Sequence, residues 1–169
     1  MSTGGRKVSK LKVLAEYPEP EAFLAIQKTA DVLMTELADF LKPHGISPTQ
    51  YNVLRILRGA VGRKARHAGP DAAGVSCGEI AQRMITHDPD MTRLLDRLEA
   101  RGLLARERGK DDRRRVTACI TDTGLEVLRA IDQPLLDLHR RQLGHVGPKK
   151  LGELLDLLDE VRRRCQNST

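Results

Sequence analysis

Apolar residues along this chain recur mostly at steps of three and four, the spacing of helices that turn one face inward. From about Pro20 to Leu41 the rhythm runs through Phe23, Ile26, Ala30, Leu33, Leu37, Phe40 and Leu41, and Lys42-Pro43-His44-Gly45 ends it. Ser47-Pro48-Thr49-Gln50 has the form of a capping box with proline at the first helical position. It predicts a second helix through Val53, Leu54, Ile56 and Leu57 to about Arg58. Ser76-Cys77-Gly78-Glu79 is another capping box and predicts a short helix to about Met84. Asp88-Pro89 is expected to cap a further helix over 89–101, with Met91, Leu94, Leu95 and Leu98 on its inner face. The tight connection from Ile85 to Asp88 makes these last two a helix-turn-helix pair.

After Arg101-Gly102 the rhythm changes. A short strand-like run, a tip dense in charge from Arg106 to Arg115, and a second run from Val116 to Thr121 follow. Helix, strand, turn, strand is the order of a recognition helix followed by a wing. Thr121 then caps a long helix from Asp122, with Leu125, Leu128, Ile131, Leu135 and Leu138 inward and Pro134 expected to kink it. Gly144 to Pro148 break the chain. A last helix over about 149–164 is expected to bury Leu151, Leu154, Leu155, Leu158 and Val161. Residues 1–18 read as a flexible arm. The Gly-rich basic segment 59–75, with Arg63, Lys64 and Arg66, either adds phosphate contacts or is a mobile insertion. The fold class predicted is mainly α with a small β-wing: a winged helix-turn-helix lobe plus a helical dimerisation region.

Charge sharpens this picture. The net charge is +6, and residues 51–120 hold 15 Lys/Arg against 9 Asp/Glu while the remainder holds 14 against 14. The whole basic excess therefore lies in the segment of the proposed reading head, as a phosphate-binding surface requires. Aromatics make up 2% of the chain, so aliphatic side chains must build the core. Three scattered cysteines without a CxxC pair suggest a reducing compartment. The absence of a signal-like start or a long apolar run leads to the expectation of a cytoplasmic protein away from the membrane. Five scattered histidines give no zinc-ligand pattern, and no nucleophile elbow, P-loop or dinucleotide fingerprint occurs. Neither enzyme activity, metal nor cofactor is expected. Cys77, in the first turn of its helix, is either a redox-sensitive thiol or a small inert residue beside a cap.

On the 89–101 helix, Arg93 and Arg97 stand one turn apart on the outer face. Each can donate twice to guanine or clamp a phosphate. Thr92 can touch a phosphate or a thymine methyl, and Asp90 can accept from cytosine N4 or orient Arg93. An exposed helix laced with salt bridges, Asp96 with Arg93 among them, is the plain alternative. In the wing, Arg113 and Arg115 share one strand face and Arg114 takes the other, so one face can enter a minor groove. Asp112 is expected to brace an arginine.

These residues resemble the multiple-antibiotic-resistance regulator (MarR) family of winged-helix repressors. The resemblance rests on the run from Thr92 to Leu103, on Asp112-Arg113-Arg114, on Ile120-Thr121-Asp122-Thr123-Gly124, and on Gly45 to Leu54, and it covers roughly residues 20–164. It implies a single domain over 19–169, with a winged lobe at 46–121 and dimerisation helices at 19–45 and 122–165. It also implies a homodimer on double-stranded DNA, with the 89–101 helix in the major groove, Arg113 in the minor groove and Asp112 bracing the wing. Release of DNA by a small-molecule effector or by oxidation would follow. The function expected is a ligand-responsive repressor on a palindromic operator. The alternative is a nonspecific architectural DNA-binding protein.

Overall fold

The computed structural model describes residues 17–64, 74–85, 90–108 and 116–166. Its helices are α1 (Pro18–Leu41), α2 (Pro48–Lys64), α3 (Cys77–Arg83), α4 (Met91–Ala100), α5 (Asp122–Leu143) and α6 (Pro148–Gln166). The strands are β1 (Val75–Ser76), β2 (Leu104–Arg108) and β3 (Val116–Ile120). They form one antiparallel sheet in the order β1-β3-β2, the wing of a mainly helical fold. The chain divides into two compact units, one up to Phe40 and one from Leu41 onward. In the first, α1 carries its own local bond from Thr29 Oγ1 to the Ala25 carbonyl at 2.8 Å.

Within the second unit, local chemistry sets each start and stop. The Ser47 box forms as expected: Ser47 N–H donates to Gln50 Oε1 at 3.0 Å, and Gln50 N–H donates to Ser47 Oγ at 3.2 Å. Ser76 and Glu79 repeat the exchange at the head of α3, at 3.3 and 3.0 Å. Each box satisfies two helix-end donors. Gly45 takes φ +70° at the turn before α2, a region open to glycine without strain.

The core is aliphatic. Val53, Leu54 and Leu57 of α2 are buried with Ile80, Leu95, Leu98, Leu104, Ala118, Leu128 and Ile131. Each large member contributes about 1.5–3 kcal/mol by leaving water. Asn52 is the buried polar side chain among the described residues, and it is satisfied: Nδ2 donates to Met84 Sδ at 3.6 Å, and Oδ1 accepts from Arg55 at 3.3 Å.

Three expectations need correction. α2 runs on to Lys64 instead of ending near Arg58, and Ala60, beyond Gly59, is still buried. The segment read as a loop over 59–75 therefore begins as helix and ends as strand β1, which pairs Val75 with Ala118 and Ser76 with Thr117. Pro134 lies inside α5, which remains one helix from Asp122 to Leu143. Finally, α6 does not bury its apolar face within the chain: Leu154, Leu155, Leu157 and Val161 are exposed.

Candidate nucleic-acid interface

The recognition helix begins later than the sequence suggested. Its N-cap is Asp90, whose Oδ1 accepts the Arg93 N–H at 3.1 Å, and its first helical residue is Met91. Asp88 and Pro89 lie outside the described residues. Leu94, Leu95 and Leu98 are buried, as the helical spacing demanded. Thr92, Arg93, Asp96 and Arg97 lie on the opposite, exposed face. The Arg93 side chain is 76% exposed, and its Nε stands 3.2 Å from Asp90 Oδ2. Both carboxylate oxygens of Asp90 are thus engaged by one residue, which aims the Arg93 guanidinium. The Asp96–Arg93 pair of the plain alternative does not form: Asp96 pairs with Arg106 and Arg93 with Asp90.

The end of α4 is built as tightly as its start. Gly102, at φ +66°, donates its N–H to the Glu99 carbonyl at 2.8 Å, and Leu103 N–H reaches the Leu98 carbonyl at 3.0 Å. This is a Schellman ending, and the buried Leu98 and Leu103 supply its apolar contact. The Thr121 hydroxyl then ties the far end of the wing back to this turn. It donates to the Gly102 carbonyl at 2.6 Å and accepts from Gly124 N–H at 3.1 Å. Gly124 lies so close that a Cβ there would come within 2.2 Å of the Leu103 carbonyl oxygen. The run Arg101-Gly102-Leu103 and the run Thr121-Asp122-Thr123-Gly124 are therefore two halves of one joint.

β2 and β3 pair from Leu104 with Ile120 out to Arg108 with Val116. Arg113, expected in the minor groove, its neighbours Arg114 and Arg115, and the bracing Asp112 fall between these strands in sequence and outside the described residues. Arg106 does not belong to the tip. It sits on β2, and its guanidinium donates through Nε to Glu99 Oε2 at 2.8 Å and through a terminal nitrogen to Asp96 Oδ1 at 2.6 Å. Its backbone N–H donates to Glu99 Oε1 at 3.0 Å. Chiefly through the side-chain hydrogen bond from Arg106, the Glu99 carboxyl is held below the ordinary glutamate range.

Sequence reasoning missed this clamp and two further ties. Arg58 grips Asp132 through two bonds of 2.7 and 2.9 Å, joining α2 to α5. Arg101, after the last turn of α4, donates to the Gly45 carbonyl. These pairs are separated by 74 and 56 positions, so no local pattern announces them. Among the described residues no group of three or more His, Cys, Asp or Glu could hold a metal, and no helix is long and apolar enough to cross a membrane. Cys77 is half-buried at the head of α3.

A capped helix that presents Arg93 and Arg97 outward, preceded by a short helix and followed by a two-stranded wing, defines a winged helix-turn-helix DNA-binding protein. Residues 44–115 match the sequence model of the MarR family. The chain is 30% identical over 127 residues to YkoM, an uncharacterised HTH-type transcriptional regulator of Bacillus subtilis, covering 75% of this chain and 74% of that one. It is 29% identical to the HTH-type transcriptional repressor MdtR of the same organism, over 60% of this chain and 57% of MdtR. The crystal structure of a MarR transcription factor from Planctomyces limnophilus superposes with a TM-score of 0.61 at 35% identity, covering 83% and 95% of the two chains. The chain belongs to the MarR family and is a DNA-binding transcription regulator.

Proposed function

We propose that this regulator is a sequence-specific repressor that binds a palindromic operator as a homodimer and releases it on binding a small molecule. The observation that carries the reading is the outer face of α4. Arg93 is aimed by Asp90, and Arg97 follows one turn later, both exposed above a buried Leu94, Leu95 and Leu98. A helix so presented enters a major groove, where Arg93 and Arg97 read guanine or clamp phosphate and Thr92 meets a phosphate or thymine methyl. Asp90 acts as the orienting group. Arg113, with Arg114 and Arg115, is assigned to the flanking minor groove and the phosphates, and Asp112 to bracing them.

Dimerisation is supported by the apolar residues that the chain leaves uncovered on α6, together with Leu136 on α5. The winged lobe spans 46–121, and residues 19–45 and 122–165 supply the dimerisation helices. The repressor reading is supported by the similarity to MdtR. Selection of genomic fragments by the purified protein, followed by sequencing, tests the proposal. An enriched inverted repeat is expected. A flat profile would replace it with the nonspecific architectural reading.

A further inference from the structure

The segment meant to face DNA has the wrong sign of charge by itself. Residues 90–100 carry two arginines, Arg93 and Arg97, against three carboxylates, Asp90, Asp96 and Glu99. A helix docked in a groove holds such carboxylates within about one Debye length of the phosphates, roughly 8–10 Å at ordinary salt. They would oppose the attraction that supplies most of the affinity. Asp90 is spent on the N-cap and on Arg93. Asp96 and Glu99 have no partner of opposite sign on α4 itself. Their partner comes from the next element, where the one guanidinium of Arg106 lies 2.6 Å from Asp96 and 2.5 Å from Glu99.

Resting on the major-groove reading of α4, we propose that Arg106 is a positioning residue for DNA recognition: it withdraws Asp96 and Glu99 from the field that α4 presents to phosphate. Arg106 is itself a poor candidate for a DNA contact, since its side chain is 26% exposed against 76% for Arg93. Its work is to set the charge of its neighbours. With Arg106 counted, the acidic excess of the reading segment is cancelled. Asp96, engaged with Arg106, is also not paired with either reading arginine. Arg97 makes no ion pair among the described residues.

Affinity for the duplex that the wild-type protein enriches from a randomised pool provides the test. Arg106→Met keeps the length of the side chain and removes its charge. It is expected to weaken binding by roughly tenfold or more at about 50 mM salt, with the loss shrinking towards 200 mM as the repulsion is screened. Adding Asp96→Asn and Glu99→Gln to that variant removes the uncompensated carboxylates and should restore affinity to within a few-fold of wild type, although the clamp is still absent. A loss that does not respond to salt, or that the triple variant does not repair, overturns the proposal and leaves Arg106 a purely mechanical brace. If Arg106→Met fails to fold, Asp96→Asn/Glu99→Gln with Arg106 retained decides the matter. The freed positive charge should tighten binding, whereas weakening contradicts the proposal. Arg93→Ala and Arg97→Ala test the underlying reading separately. If neither changes affinity, α4 does not face DNA and that reading falls. If they weaken binding while the Arg106 series is flat, only the present inference falls.

Discussion

At the scale of single residues, reading and positioning are divided among neighbours. Arg93 is exposed and oriented, so Arg93→Ala should cost about 1–3 kcal/mol at the preferred site and relax its sequence preference, as loss of a bidentate base contact does. Equal weakening on all sequences, measured by competition, would make it a phosphate contact. Glu99 offers a pH-dependent check on the clamp. Arg106 lowers its pKa in the folded state. Its contribution to stability is therefore complete above the ordinary glutamate range and is lost as the pH falls through the lowered folded value. A carboxyl NMR titration should place the Glu99 midpoint below that of a free glutamate, and Arg106→Met should move it up. A Glu99 midpoint unchanged by the substitution would show that the two groups do not interact in solution. The exposure of Arg93 and its orientation by Asp90 were legible in the sequence; the clamp was not, and there Arg106 read as one more charge at the wing tip. A charge reveals its partner only through tertiary proximity, and helix end, turn and strand intervene between Glu99 and Arg106.

At the scale of elements, the features legible in the sequence are those whose physics is local. The Ser47, Ser76 and Thr121 caps form because a side-chain oxygen meets an N–H two or three residues on, and those residues are adjacent in the chain. The inner face of α4 was readable because burial follows the helical period. The misplaced boundaries have the opposite origin. Gly59 looks like a breaker, yet α2 passes through it and buries Ala60 beyond. β1 has two residues, too few for any alternation to register, and exists only because β3 offers it an edge. The joint between α4 and α5 was visible as sequence but not as mechanism. Its closeness predicts that Gly124→Ala is destabilising by about 1–3 kcal/mol, the usual range for overpacking, since the Cβ would meet backbone rather than a movable side chain. Chemical denaturation measures this directly. A stability equal to wild type would mean that the joint can open without cost.

At the scale of the whole molecule, the charge and the uncovered apolar surface point in complementary directions. The basic excess is confined to residues 51–120, while Leu154, Leu155, Leu157 and Val161 on α6 lack cover within the chain. A second copy is the expected cover, so sedimentation at micromolar concentration should give the dimer mass. A monomer alone would remove the two half-sites on which palindrome recognition depends. The decisive quantity is specificity. At physiological salt, the ratio of affinities for the selected palindrome and for a mixed-sequence duplex of equal length should be about 10³ or more. A ratio near one would contradict sequence-specific regulation through α4 and leave a protein that holds DNA by its phosphates alone.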